Sequence, residues 1–168
     1  MENKFIITFA GAVGSSKTPI AHYLSWKLNL PVFSNDAIRT EMLEDSLVYD
    51  GKEYEKIRNS RLEEFMKSGV SFIYDASVDR KWSELKNNAD VCGYSIFVIS
   101  LDLSKDFLAS LYKLKGYHET LARINELVAD HDAFLVNYMN VVGVHIGEKE
   151  FKNRLELSYK AVKKWQKL

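Results

Sequence analysis

The chain has 168 residues, with 23 Lys and Arg against 23 Asp and Glu, 46% hydrophobic residues and a single cysteine. A chain this long buries roughly 70% of the surface its unfolded form exposes, so one domain can hold itself together without a disulfide or a structural metal. Cys92 has no partner, which excludes an intrachain disulfide and a multi-cysteine zinc site, and it is expected to be a buried, small apolar residue. A formal net charge of zero argues against bulk-charge binding to nucleic acid or membrane. No apolar run approaches the roughly 20 residues of a spanning helix. The opening MENKFIITFAG lacks the layout of a signal peptide, so a cytoplasmic location is expected.

Hydrophobic runs and helical periods alternate without a linker or repeat, which predicts one domain over residues 1–168. Lys4 to Ala10 reads as the first strand, stopped by Gly11, with a helix from Ser16 to Leu28 behind it. A brief strand over Pro31 to Ser34 leads into a helix that Asn35 or Asp36 can cap and that carries Ile38, Met42 and Leu43 on one face. Tyr54, Ile57, Leu62, Phe65 and Met66 recur at helical spacing until Ser68-Gly69. Val70 to Tyr74 predicts a third strand ending in Asp75, followed by a helix near Arg80 to Asn88. Tyr94 to Leu101 is nearly all apolar, as a strand covered on both faces should be. Ser104 can cap a helix that ends before Gly116, and a long helical region runs from Leu121 to Met139, bent around Asp130-His131-Asp132. Val141 to Ile146 predicts the last strand, and Phe151 to Trp165 a closing helix. Five strands joined by helices predict an α/β fold with a mainly parallel sheet, in which ligands bind beyond the carboxyl ends of the strands.

The first strand-to-helix turn reads Gly11-Ala12-Val13-Gly14-Ser15-Ser16-Lys17-Thr18, the phosphate-binding pattern G-x-x-x-x-G-K-[ST] with Ser16 in place of the second glycine. A strand entering a tight glycine turn ahead of a helix leaves convergent unpaired N–H groups, and the helix dipole adds partial positive charge there. Gly11 and Gly14 allow close approach of phosphate oxygens, Lys17 can reach the terminal phosphates, and the Thr18 hydroxyl is placed to ligate Mg²⁺. The Cβ and hydroxyl that Ser16 adds either narrow the loop or supply a hydrogen bond.

Three segments, GAVGSSKT, SNDAIR at residues 34 to 39 and FIYDASVDR at residues 72 to 80, resemble the small P-loop kinases related to polynucleotide kinase, zeta toxin and chloramphenicol phosphotransferase. The resemblance runs from the first strand to about Leu101 and implies the three-layer P-loop nucleoside triphosphate hydrolase fold, with ATP and Mg²⁺ as cofactors. It implies that Asp36 orients or deprotonates an acceptor hydroxyl, that Arg39 holds an anionic part of the substrate, and that Asp75 lies near the metal and the acceptor. Helix capping is the competing account of Asp36 and of Asp75. Arg80 matches an arginine of the relatives, and a surface salt bridge also suits it.

The pattern departs at the lid, near residues 111–125, where Lys113 and Lys115 stand where arginine is expected. Lysine lacks the planar fork that binds two oxygens together. Arg123 can serve the nucleotide instead, although Glu119 and Glu126 on the same helix offer it ordinary pairing. The histidines at 22, 118, 131 and 145 show no metal-ligand spacing. Lys160, Lys163, Lys164 and Lys167 read as the solvated face of the last helix, and Tyr49 and Tyr54 as core packing or as a gate to the acceptor. The expected activity is transfer of a γ-phosphoryl group to a hydroxyl of a small molecule or nucleic acid, the latter as acceptor only. A nucleotide-binding module without catalysis and a simple nucleotide hydrolase are the alternatives.

Overall fold

The computed structural model describes residues 4–46 and 49–167 and contains five strands and eight α-helices among them. In chain order they are β1 (Phe5–Ala10), α1 (Lys17–Leu28), β2 (Val32–Ser34), α2 (Asn35–Ser46), α3 (Gly51–Lys67), β3 (Phe72–Ser77), α4 (Trp82–Cys92), β4 (Ser95–Leu101), α5 (Lys105–Lys115), α6 (His118–Ala122), α7 (Ile124–Tyr138), β5 (Val142–Ile146) and α8 (Arg154–Trp165). The sheet has the order β2-β3-β1-β4-β5, and every pairing is parallel.

Alternation along the central strands splits the core in two. Ile7 and Phe9 of β1, with Phe97, Ile99 and Leu101 of β4, face Ile20 and Leu24 of α1, Leu108 and Tyr112 of α5 and Val162 of α8. Ile6 and Ala10 of β1, with Val98 of β4, face Ile38 of α2, Leu62 and Met66 of α3, and Trp82, Leu85 and Ala89 of α4. Helix α7 serves both cores, sending Ile124 and Leu127 to the first and Phe134 to the second. Two covered faces explain why β1 and β4 are apolar at nearly every position rather than at every other one.

Several local expectations are corrected. The cap of α2 is Ser34, whose hydroxyl accepts the Ala37 N–H at 3.4 Å, so neither Asn35 nor Asp36 is spent on capping. Strand β3 starts two residues later than the apolar run and continues to Ser77, which places Asp75 inside the strand, paired with Ser34, rather than at a helix cap. A bulge in β3 opposite β1 accompanies this extension: Ile7 pairs with Ile73 but Phe9 pairs with Ser77, and the buried Thr8 hydroxyl donates to the Tyr74 carbonyl at 3.2 Å. The long helical region breaks at Arg123, between α6 and α7, and passes unbroken through Asp130-His131-Asp132. His131, within the unbroken part, is buried and held by partners that are remote in sequence. Cys92, at the end of α4, is half-buried against the second core rather than fully enclosed. No helix among the described residues is long and apolar enough to cross a membrane.

Candidate phosphate-binding cleft

The loop between β1 and α1 has the backbone of an anion cradle. Gly11 and Gly14 have φ of 127° and 76°, and Ser16, at the position where the pattern usually has glycine, is also left-handed, with φ 74° and ψ 38°. The N-terminus of α1 has no side-chain cap and no acidic residue in its first turn, so its leading amides are free to meet an anion.

Helix α5 closes over this loop. The Tyr112 hydroxyl donates to the Val13 carbonyl, and the Tyr112 ring lies so near that a Cβ on Gly14 would stand 2.7 Å from its Cε1. At the end of α5, the Lys115 ammonium donates to the Gly14 carbonyl at 2.8 Å and to the Ser16 hydroxyl at 3.0 Å. The hydroxyl that the sequence adds at Ser16 therefore ties the loop to the end of α5. Gly116, left-handed at φ 71°, ends α5 directly after Lys115.

Lys17 is buried, and its ammonium donates to the carbonyls of Gly11 at 2.8 Å and Ala12 at 2.6 Å and to the Ser15 hydroxyl at 3.3 Å. Burial lowers its pKa to about 8, against the raising influence of the Asp79 and Asp75 carboxylates. An ammonium in such surroundings has much to gain from an added anion.

From the loop, one cleft of about 720 Å³ extends across the carboxyl ends of β2 and β3. Lys17, Thr18 and Lys115 line its loop side, Asp36, Arg39 and Tyr54 its far side, and Asp75 with Ser77 its floor. Burial raises the pKa of the Asp75 carboxyl, while the Thr18 hydroxyl and the Lys17 charge act in the opposite direction. Asp36 is well exposed, and the Arg39 guanidinium donates to it at 3.1 Å while lying 5.7 Å and 5.3 Å from the ring centres of Tyr49 and Tyr54. Tyr54 is buried, and Tyr49 leans on it from the solvent side.

The cleft thus brings together most of the residues singled out from the sequence: Val13, Gly14, Ser16, Lys17 and Thr18 of the loop, with Asp36, Arg39 and Asp75, whereas Gly11, Ala12 and Ser15 are buried behind it. Arg123 is placed elsewhere. Its guanidinium is bound to Glu126 at 3.0 and 2.7 Å, and it borders a small neighbouring cavity of about 140 Å³ beside Val13. Arg80 likewise leaves the cleft, reaching Asp130 at 3.4 Å and Glu126 at 3.9 Å on α7. His118 is exposed on α6, and the lysines of α8 face solvent.

Sequence reasoning missed the support behind the loop. The Gly11 N–H is bonded to both oxygens of the Asp79 carboxylate, at 3.0 and 3.2 Å. Asp79 in turn meets His131, and His131 meets Asp102. The one available signal was the position of Asp79 inside FIYDASVDR, directly before Arg80. Tyr112 was hidden as an apolar-face residue four positions after Leu108. No cluster of three or more His, Cys, Asp or Glu suited to a metal occurs among the described residues, so a cation at Thr18 and Asp75 would need oxygens from a bound ligand as well.

No protein-family model and no curated protein matches the chain. Solved structures do resemble it. A gluconokinase from Sinorhizobium meliloti 1021 superposes with a TM-score of 0.71 at 11% identity, over 99% of this chain and 96% of that one. A sugar kinase from Janibacter sp. HTCC2649 gives 0.64 at 18% identity, over 95% of each chain. Shikimate kinase from Bacteroides thetaiotaomicron gives 0.62 at 14% identity, over 98% and 99%. Together with the parallel sheet order and the glycine loop ahead of α1, these superpositions establish that the chain has the three-layer α/β fold of the P-loop nucleoside triphosphate hydrolases.

Proposed function

We propose that the protein is an ATP-dependent phosphotransferase that moves the γ-phosphoryl group to a hydroxyl of a small-molecule acceptor. The observation that carries this reading is the continuity of the cleft: its loop side offers cations and free amides, and its far side offers a carboxylate and a guanidinium. The kinase descriptions of the solved neighbours agree with it, and adenine is taken from the resemblance to the small P-loop kinases.

Phosphoryl transfer depends mainly on positioning and on charge stabilisation. The amides of Gly14 and of Ser16 to Thr18 would receive phosphate oxygens, and Lys17 would exchange its loop carbonyls for them. Lys115, already at the rim of the loop, would add a second cation. Thr18 and Asp75 would hold Mg²⁺, which supplies further positive charge to the phosphate oxygens. Asp36, free of capping duty, would accept the proton of the acceptor hydroxyl. Arg39, steadied by Tyr54, would hold the acceptor against it. Arg123 has no part in this reading, because Glu126 already neutralises it outside the cleft.

One observation favours the alternative of a nucleotide-binding module: Lys17 and Lys115 are both bonded to oxygens of the loop itself. Calorimetric ATP binding, together with ATP consumption in the presence of a panel of hydroxylated acceptors, separates the readings. Lys17→Ala should lose ATP binding. Asp36→Ala should keep it and lose acceptor-dependent turnover by about 100-fold or more. Parent-like binding and turnover in both variants would overturn the proposal, and binding without acceptor-stimulated turnover in the parent would favour the module.

A further inference from the structure

Behind the phosphate loop lies a row of ionisable side chains that the proposed reaction does not use. Asp79, in the turn after β3, is only 7% exposed and accepts the Gly11 N–H. His131, from the middle of α7, is 8% exposed and stands between two carboxylates, with Nδ1 at 3.3 Å from Asp79 Oδ1 and Nε2 at 3.1 Å from Asp102 Oδ1. Asp102, just past the end of β4, also accepts from the Ser100 hydroxyl and from His145 Nδ1 of β5 at 2.6 Å. His145 is 43% exposed, so the row runs from solvent to the first amide of the loop.

A ring with a carboxylate at each nitrogen must donate from both, which requires the imidazolium form. Burial alone would lower the pKa of His131. The hydrogen bonds to Asp102 and Asp79, with their charges, outweigh it and raise the value to about 9. Without that cation, two largely buried carboxylates would stand uncompensated behind a loop built to hold an anion.

We propose that His131 is a positioning residue for the phosphate loop: by donating to Asp79 and Asp102 at once, it steadies the Asp79 carboxylate on the Gly11 amide and cancels negative charge that would repel a bound triphosphate. This rests on the nucleotide-binding reading above. The other charged groups around His131 are Lys17, whose ammonium feels Asp79, His145 beyond Asp102, and the Arg80–Asp130 pair at the neighbouring position of α7. The Lys17 and Arg80 cations oppose a cationic ring, and the two carboxylates that touch it directly, Asp79 and Asp102, outweigh them.

The test measures ATP affinity, with Mg²⁺ and at constant ionic strength, for the parent, Lys17→Ala, His131→Gln, Asp79→Asn and the double variant His131→Gln/Asp79→Asn. His131→Gln should weaken ATP binding by about tenfold, the effect of one unscreened charge change near a polyanion. The double variant should recover to within a few-fold of the parent, because the asparagine oxygen still accepts the Gly11 N–H and the stranded charge is gone. A merely structural role predicts no such recovery. Histidine-ring NMR of the parent gives a second readout independent of any variant: ATP should shift the His131 titration to higher pH, by reciprocal linkage. If the parent does not bind ATP, the nucleotide reading falls and this inference with it. If the parent binds ATP and Lys17→Ala does not, while His131→Gln binds as the parent does or the His131 titration is indifferent to ATP, only this inference falls.

Discussion

Ser16 sits at φ 74° and ψ 38°, in the left-handed region where a side chain costs about 1–2 kcal/mol and glycine costs nothing. Replacing it by glycine removes that strain but loosens the unfolded chain by about 0.5–1 kcal/mol. Replacing it by alanine keeps the strain. Both changes lose the 3.0 Å bond between the Ser16 hydroxyl and Lys115, so that term cancels when the two variants are compared with each other. The expected result is that Ser16→Gly is more stable than Ser16→Ala by roughly 0.5–1 kcal/mol, the reverse of the order for ordinary helical or extended backbone. Urea unfolding followed by fluorescence of the three tryptophans measures it, with equal slopes required for the two variants so that midpoints compare directly. An alanine variant as stable as the glycine variant, or more so, would refute the assignment of strain to this residue.

Two more outcomes concern packing and pH. Gly143, on β5, faces the Phe97 ring so closely that a Cβ would overlap it, and Phe97 is itself wedged against Trp165. Gly143→Ala should destabilise by about 1–3 kcal/mol in the same unfolding assay, and a neutral result would show that the Phe97 ring moves freely. The His131 pKa is about 9 when folded, against 6.5 for an ordinary histidine, so its contribution is full below pH 6.5 and is lost as pH rises through about 9. Asp102 works at the other end: burial would raise its carboxyl, but bonds from His131, Ser100 and His145 hold it at about 2, so its contribution, present above pH 3.8, is lost as pH falls through about 2. Lys17, lowered to about 8, opposes the first trend above that pH, because its buried charge then disappears. Thermal unfolding should therefore show a loss of stability from about pH 6.5 upward that is absent in His131→Gln, and identical profiles for parent and variant would refute the assignment.

The elements and the loop are legible in the chain because they are written in near neighbours. The apolar runs of β1 and β4, the Ser104 cap, the glycine stop of α5 and the spacing from Gly11 to Thr18 are all local signals, and the described residues follow them. The sequence also brought forward Asp36, Arg39 and Asp75, which lie just beyond or within the strand ends that border the cleft. The extension of β3 to Ser77 was not legible, since a bulge is defined by what the neighbouring strand does. Which cation meets the loop was decided by tertiary structure alone: Lys115 reaches Gly14 across 101 positions, while Arg123, the better candidate by residue type, is satisfied by Glu126 one turn away. The same holds for Asp79, Asp102 and His131, three ordinary polar residues in the chain whose charges meet only when the ends of β3 and β4 come against the middle of α7. A periodic pattern records which face of an element is buried. The pairing of charges depends on distances between elements, and those exist only once the sheet has set its strand order.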